Sequence, residues 1–129
     1  MQTRDKLYIN GAWVTPHGKK HIDVISASTE AVMGSIPEAN ERDVDDAVAA
    51  ARAALDGWMA TPVAERAAAL VRIQEGLKSR ADEIARTIAG EVGMPLKMAN
   101  RIQVGSPIAT FGMYAKMLPT MQFEEKVGN

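Results

Sequence analysis

The two histidines of the chain are its first candidates for chemistry. His17 and His21 lie four residues apart, a spacing that on a helix would put both imidazoles on one face, where they could hold a metal ion. Gly18 lies between them, however, and the segment has the pattern of a turn followed by a strand. We therefore favour a surface role for both histidines over a metal site.

Carboxylates are the other candidates for proton transfer. Asp82 and Glu91 fall on a predicted helix, but no second acid or histidine is predicted to lie beside either, so general acid–base catalysis has no support. The chain contains no cysteine, which excludes a thiolate nucleophile, a thiolate metal site and a disulfide within it. The glycine motifs that cradle nucleotide phosphates are also absent from the sequence.

Methionines recur at four-residue spacing in the C-terminal part of the chain. They are Met94 and Met98, followed by Met113, Met117 and Met121. A methionine stripe can line an adaptable binding groove. Packing in a core or in a subunit contact is the more common role, and it is the interpretation that we prefer.

Composition narrows the classes of protein. The chain has 129 residues with 15 basic and 16 acidic side chains, which suits one globular domain or a piece of a larger one. The basic residues are scattered and 5% of the chain is aromatic, so we expect no nucleic-acid partner. No apolar run approaches the roughly 20 residues that span a bilayer, and no apolar signal core follows the N-terminus, so we expect a cytoplasmic protein without a membrane partner.

Residues 7–36 predict a short antiparallel β ribbon. Asn10-Gly11 tolerates positive φ at both positions and is a strong signal for a two-residue hairpin. Residues 21–25 alternate polar and apolar side chains, as a half-buried strand does. The predicted strands are 7–9, 12–14, 21–25 and 32–36.

Residues 40–118 predict about four α-helices. Asn40 suits the N-cap of the first, and Asp43 lies three residues on, where it can accept the Asn40 amide proton. The apolar stripe of this helix consists of Val44, Ala47, Val48, Ala51, Leu55 and Trp58. We expect the later helices to pack back on the same apolar faces.

The other helix boundaries follow from capping residues. Thr61 with Pro62 at the first position predicts the start of the second helix, Ser79 the start of the third, Gly93 its end and Pro95 the start of the fourth. Pro107, after Gly105 and Ser106, predicts a kink or break in the fourth helix. The tail, residues 119–129, has no partner visible in the sequence.

Three blocks of sequence carry a family resemblance. They are residues 7–14, residues 25–39 running into 43–54, and residues 91–95 followed by 113–115. In this order and spacing they resemble the N-terminal region of the NAD(P)-dependent aldehyde dehydrogenase superfamily, and the helix around Arg66 also fits. Departures at Ser26-Ala27, Met94 and Pro107 leave the subfamily open.

The resemblance implies an α+β segment of a larger α/β domain. Residues 1–129 would be the N-terminal part of the cofactor-binding domain, without the parallel Rossmann-like sheet that holds NAD or NADP in the full-length family. The family oxidises an aldehyde to a carboxylate through a cysteine thiohemiacetal, with hydride transfer to NAD(P)+. The cysteine, the glutamate base and the nucleotide-binding elements come later in these proteins. We therefore expect this chain alone to hold no cofactor and to be non-catalytic.

The resemblance carries few functional residues into this chain. The main-chain carbonyls of Val24 and Ile25, with Glu91, match a monovalent-cation site seen in some members. Ile102 and Ser106 match positions that line the mouth of the aldehyde tunnel in some members. The simpler alternatives are packing for Ile102 and an exposed helix-end carboxylate for Glu91.

Two hypotheses of different classes remain. In the first, the chain is an N-terminal scaffold fragment whose helices cover the nucleotide-binding sheet; its partners would be a second copy or the remainder of the enzyme, and its uncovered faces would self-associate. In the second, it is a stand-alone interaction module, a shortened paralogue that binds itself or full-length subunits through the methionine stripe and the tail. A small enzyme of unrelated mechanism has no constellation of residues to support it.

Overall fold

A computed structural model describes residues 2–128. Met1, the first residue of the predicted segment 1–129, and Asn129, the last residue of the predicted tail, lie outside the described residues. The chain divides into two compact units, the first made of the residues up to Ala60 together with Ala89–Met94. The second is made of Thr61–Ile88 and the residues from Pro95 onward.

Short strands come first and helices follow, which confirms the predicted α+β class. The strands are β1 (Gln2–Thr3), β2 (Leu7–Ile9), β3 (Ala12–Val14), β4 (His21–Ile25) and β5 (Val32–Pro37). The helices are α1 (Glu41–Ala60), α2 (Val63–Ser79), α3 (Ala81–Val92), α4 (Leu96–Met98) and α5 (Gly105–Met117). A π-helical segment (Ala99–Val104) joins α4 to α5, and a 3-10 turn (Leu118–Thr120) follows α5.

The predicted hairpin forms between β2 and β3. Asn10 and Gly11 make its turn with φ values of 52° and 76°, which confirms that both positions need the left-handed region. Tyr8 and Trp13 lie opposite each other in the ladder, and their rings meet edge to face with centroids 5.2 Å apart. Such a cross-strand aromatic pair stabilises a ribbon this short.

The predicted single ribbon is divided into two sheets. β2 and β3 form one, whereas β4 and β5 pair antiparallel in the other. The second sheet also contains β1, which pairs in parallel with β5 and lies upstream of the predicted ribbon. The sequence pattern marked β2 to β5 and the β2–β3 hairpin, but it missed β1 and did not show that β4 and β5 form a separate sheet.

Asp43 fixes the segment between β3 and β4 against the start of α1. The side chain is 3% exposed. Its carboxylate accepts the Asn40 N–H at 2.9 Å while the Asp43 N–H donates to the Asn40 side chain at 3.1 Å, so the predicted capping box at the start of α1 is confirmed. The same carboxylate accepts the N–H groups of His17 at 2.8 Å and Gly18 at 3.3 Å. This tie holds residues 17 and 18 against the start of α1.

The apolar stripe of α1 is only partly covered, and its N-terminal half shares an open cleft with Leu7–Ile9 of β2. Val44, Val48, Leu55 and Trp58 are between 40% and 61% exposed. The expectation that later helices pack back on this face stays a prediction, because those helices belong mainly to the second unit. A helix with one apolar stripe normally buries it against another element. The α1 stripe has the pattern of such a helix but is buried only in part.

Two predicted helix starts are displaced by one or two residues. α2 begins at Val63, and Pro62 is its extended N-cap with φ −53° and ψ 142°, so Thr61 does not occupy the cap position. Ser79 does not cap α3, because its hydroxyl donates back to the Gly76 carbonyl at 2.9 Å and the chain bends at Arg80. The predicted end of α3 is confirmed.

Gly93 ends α3 by adopting a left-handed conformation. Its φ is 69°, and its N–H donates to the Ala89 carbonyl at 3.1 Å. A side chain would be strained at this φ, which is why glycine is the usual residue at this position of a helix end.

The predicted fourth helix is interrupted, but upstream of Pro107. The irregular stretch is the π-helical segment, after which the Gly105 N–H donates to the Asn100 carbonyl, five residues back. Pro107 instead lies in the first turn of α5, where the missing N–H is tolerated. The prediction that the fourth helix is interrupted is therefore correct, but the predicted position at residues 105–107 is wrong.

The second unit is held by close packing of α2 against α5. Gly112 is buried and has no β carbon, so the side chain of Gln74 lies against it, and Gln74 Nε2 donates to the Ile108 carbonyl at 3.0 Å. The tail after the 3-10 turn has a partner that the sequence did not reveal. The Phe123 ring lies 5.1 Å from the Arg66 guanidinium carbon, a cation–π contact onto α2.

Candidate functional site

A β-bulge lies where the predicted cation-site carbonyls occur. Val24 opposes Gly34 and Ile25 opposes Val32, so Met33 is an extra residue in β5. A bulge interrupts the regular hydrogen-bond ladder and redirects side chains. Met33 points its methyl group toward α3, where a β carbon on Gly90 would lie 3.0 Å from it. The bulge therefore joins the sheet to the last turns of α3.

The chain immediately after β4 also touches the end of α3. The Ala27 N–H donates to the Gly90 carbonyl at 3.2 Å. A β carbon on Gly93 would lie 3.3 Å from the Ala27 β carbon, so this approach requires a small residue there. Val24, Ile25 and Glu91 are each within three residues of this contact along the chain, and all three belong to the first unit.

The C-terminal end of α3 carries negative charge. The C-terminal carbonyls of a helix carry partial negative charge, and Glu91 adds a carboxylate in the last turn of α3. Carbonyl and carboxylate oxygens are the ligands that hard cations prefer. The Glu91 side chain is exposed, in agreement with a helix-end carboxylate as well.

Ile102 and Ser106 lie on the other unit. Ile102 is in the π-helical segment and is 43% exposed, and Ser106 is an exposed residue in the first turn of α5. Neither side chain is part of the core of the described chain. The alternative of packing for Ile102 stays open, since more than half of its surface is covered within residues 2–128.

The histidines and the helix carboxylates do not converge. His17 Nε2 lies 3.3 Å from Asp46 Oδ2, whereas His21 is an exposed β4 residue opposite Pro37. Asp82 accepts a hydrogen bond from Asn100 Nδ2 at 3.0 Å. Across residues 2–128, no three side chains of the metal-binding types are grouped so that they could hold an ion.

Asp43 is the residue whose importance the sequence understated. The N–H groups of His17 and then Asn40 hold the pKa of its carboxyl below the ordinary value of 3.8, against the opposing effect of burial. The spacing to Asn40 signalled the cap. No local signal connected Asp43 with His17, 26 residues earlier. Asp43 organises the first unit and is a positioning residue.

Membrane insertion has no support from the helices. In the part of the chain that the structure describes, no helix combines the length and the apolar character needed to cross a bilayer.

Comparison with known proteins gives a consistent relationship. Residues 13–128 match the aldehyde dehydrogenase family. A 3-succinoylsemialdehyde-pyridine dehydrogenase from Pseudomonas sp is 37% identical over 129 residues, which are 99% of this chain and 27% of that protein. The chain thus spans about a quarter of the length of the curated relatives that it matches.

Solved structures agree with the sequence relationship. An aldehyde dehydrogenase from Bartonella henselae matches with a TM-score of 0.93 and 31% identity, over 98% of this chain and 27% of that one. Aldehyde dehydrogenase C from Pseudomonas syringae, solved with NAD+ and octanal, matches with a TM-score of 0.92 and 35% identity, over 96% of this chain and 26% of that one. Sequence and fold therefore agree that the chain belongs to the aldehyde dehydrogenase family, as an N-terminal segment of it.

Proposed function

We propose that this chain is the N-terminal part of the cofactor-binding domain of an NAD(P)-dependent aldehyde dehydrogenase. In this assignment residues 7–36 supply the outer β ribbon, residues 40–118 the helices that cover the nucleotide-binding sheet, and residues 119–129 a connecting tail. The parent reaction is oxidation of an aldehyde to a carboxylate through a cysteine thiohemiacetal. The chain itself acts as scaffold.

The partly covered stripe of α1 carries this proposal. Val48 is 61% exposed and Trp58 is 50% exposed, although both occupy the apolar face of a 20-residue helix. Burying a single side chain of this kind contributes about 1.5–3 kcal/mol to stability. A half-exposed stripe gains only part of this energy, so the stripe indicates a helix whose apolar face is meant to be covered. The stripe is explained if a further layer of structure covers it.

The chemistry of the family cannot be assembled from this chain's side chains. Attack on an aldehyde needs a thiolate, and the sequence has no cysteine. A dinucleotide site needs a parallel sheet with crossover helices. The parallel pairing of β1 with β5 covers two positions, which is too short to form such a sheet. NAD or NADP would therefore bind to parts of the parent enzyme other than this segment.

The first test is the intact mass of the natural protein under denaturing conditions, together with aldehyde-dependent reduction of NAD+ or NADP+. A mass of 13.9 kDa without turnover supports a scaffold that does not catalyse by itself. A larger mass with turnover that thiol alkylation abolishes supports the N-terminal assignment. Aldehyde oxidation by a pure 13.9 kDa chain contradicts the proposal.

The region around the β5 bulge supports a secondary role in cation binding. We assign the Val24 and Ile25 carbonyls and Glu91 to a monovalent-cation site in the parent enzyme, on the strength of the contact between Ala27 and Gly90 that joins their segments. Thermal unfolding of the parent enzyme in sodium, potassium and tetramethylammonium chloride tests this assignment. Specific stabilisation by one small cation, lost in Glu91→Gln, supports it, and equal stability in all three salts contradicts it.

Ile102 and Ser106 are proposed to line the aldehyde tunnel of the parent enzyme. Their exposure supports this role, because a wall residue must be reachable from outside the segment's own core. Ile102→Ala should change KM among aldehydes of different chain length while kcat for a short aldehyde stays near the wild-type value. Unchanged KM across the series contradicts the assignment.

A stand-alone interaction module is the second candidate, favoured by the methionine stripe. Met113, Met117 and Met121 are between 45% and 50% exposed, so they do not form a core in the described residues. Exposed methionines are adaptable contact residues. Co-purification of the 13.9 kDa chain with full-length subunits, abolished by Met113→Glu and Met117→Glu, would support the module over the scaffold.

A further inference from the structure

A cleft in the second unit gathers basic side chains from α3 and from the helical segments that follow it. Its volume is about 460 Å3, and it is lined by Asp82, Arg86, Leu96, Lys97, Asn100 and Arg101. Small-molecule sites typically enclose about 300–1,000 Å3, so the cleft is large enough for a metabolite-sized ligand. The charges look scattered along the sequence, and it is the folded chain that brings them together.

Two elements each present one face to this cleft. Asp82 and Arg86 are four residues apart on α3 and therefore lie on the same side of that helix. Lys97 and Arg101 are likewise four apart across α4 and the π-helical segment. The hydrogen bond from Asn100 Nδ2 to Asp82 Oδ1, 3.0 Å long, joins the two faces and fixes their spacing.

The charges in the cleft are unbalanced. Arg86, Lys97 and Arg101 supply three positive charges against the single carboxylate of Asp82. That carboxylate already accepts the Asn100 amide. Among the described residues none of the three cations forms an ion pair, in contrast to Arg80, which is bound by Glu83 at 2.7 Å. Unpaired cations facing one concavity attract anions.

We propose that this cleft binds a small organic oxyanion through a phosphate or carboxylate group. The guanidinium groups of Arg86 and Arg101 offer planar pairs of donors that match both kinds of oxyanion, and Lys97 adds a point charge. Leu96, 45% exposed, gives the carbon skeleton of the ligand an apolar surface. The proposal does not depend on aldehyde oxidation, and it assigns a site that no step of that reaction uses.

Calorimetric titration of the purified protein with inorganic phosphate and with succinate tests the site. Ionic strength is matched with chloride so that general screening does not mimic binding. We expect saturable binding of at least one of the two probes. Phosphate alone identifies a phosphate site, succinate alone a carboxylate site, and both together a general oxyanion site. No saturable binding of either probe overturns the proposal.

Variants then locate the binding. Arg86→Gln with Arg101→Gln should weaken it at least about tenfold, because two charge-assisted contacts are lost. Arg52→Gln with Arg72→Gln removes the same charge from exposed positions outside the cleft and should leave the affinity within about twofold. Equal weakening by both pairs would show a net-charge effect and would overturn the proposal.

A variant expected to bind more tightly distinguishes a true site from a misfolded protein, because misfolding can only weaken binding. Asp82→Asn removes the one negative charge in the cleft but keeps an oxygen that can accept from Asn100. We expect about threefold tighter binding, since the ligand no longer approaches a carboxylate. Unchanged or weaker binding in a folded Asp82→Asn protein would contradict the site as described.

Discussion

At the scale of single residues, Asp43 is the group on which the first unit depends most. One buried carboxylate satisfies backbone N–H groups from three residues, those of His17, Gly18 and Asn40. A carboxylate that accepts several backbone N–H bonds is stabilised in its charged form. The hydrogen bond to Asn40, which caps α1, joins residues close in sequence. The bonds to His17 and Gly18, which hold the loop before β4, join residues far apart in sequence.

The lowered pKa of Asp43 predicts a pH dependence of stability. Its folded-state pKa lies below 3.8, so its contribution is complete above the unfolded value and is lost as the pH falls through the lower folded value. Urea midpoints between about pH 5 and pH 2 should therefore fall more steeply for the wild type than for Asp43→Asn. At pH 7 the variant should be the less stable protein, because an amide presents one acceptor oxygen where the carboxylate presents two.

The control for this experiment is Asp45→Asn, a change of the same chemistry on the exposed side of α1. It should follow the wild-type curve. Parallel curves for the wild type and Asp43→Asn would show that Asp43 is not linked to unfolding.

Gly18 is required by close approach of two backbone segments. A β carbon at this position would collide with the Glu38 carbonyl oxygen, a main-chain atom that cannot rotate away. We expect Gly18→Ala to cost about 1–3 kcal/mol in the free energy of urea unfolding, as overpacking does. Gly76→Ala, at an α2 position with open space around it, should instead stabilise by up to about 1 kcal/mol. Equal effects of the two substitutions would refute the steric argument.

At the scale of elements, the π-helical segment is the feature that propensity could not locate. Ala99 is 0% exposed and Val104 is 3% exposed, at the two ends of the segment. On an α-helix, residues five apart point in directions about 140° apart, so both could not face one core. The wider turn, with bonds spanning five residues, brings them toward the same side. Burial of both residues therefore favours the irregular helix.

Val104 should be the more sensitive end of this segment. Val104→Ala removes two buried methyl groups, and the better helix propensity of alanine offsets part of that cost. We therefore expect the free energy of unfolding, measured in urea, to fall by about 1–2 kcal/mol. Val92→Ala, at a helix position that is 62% exposed, is the matched change and should lie within about 0.5 kcal/mol of the wild type. A loss at Val92 as large as that at Val104 would contradict the packing explanation.

At the scale of the whole molecule, apolar side chains are distributed as in a component of something larger. The fully or nearly buried apolar residues are small: Ala67, Ala85, Ala99, Val104 and Ala115. Large side chains such as Trp13, Trp58 and Met59 are half-exposed or more. Exposed apolar surface of this kind marks an interaction site or an association liability.

Self-association of the isolated chain is the expected consequence. Sedimentation of the 13.9 kDa protein should show concentration-dependent oligomers, together with binding of a dye specific for apolar surfaces. Val48→Glu with Leu55→Glu should weaken association at least about tenfold, because both glutamates would lie on the α1 stripe. Ala49→Glu with Ala53→Glu places the same two charges on the other side of the helix and should leave association unchanged. A monomeric wild type without dye binding would contradict the prediction.

Local sequence patterns determined many of the turns, caps and helix ends of this protein. The hairpin at Asn10-Gly11, the capping box at Asn40 and the helix end at Gly93 were all predictable, because each depends on the φ preference or the side-chain reach of residues within three positions. The ordered blocks of sequence were enough to indicate the family. Boundaries near Thr61 and Ser79 were displaced because alternative local hydrogen bonds compete at helix ends.

Long-range contacts decided the rest. Asp43 reaches His17, which lies 26 residues earlier in the sequence. The basic cleft exists only because α3 meets the segment that carries Lys97 and Arg101. Sequence periodicity states which side chains share a face, but it carries no information on which element that face meets. Strand partners, uncovered faces and clefts are properties of those meetings, so they required the tertiary structure.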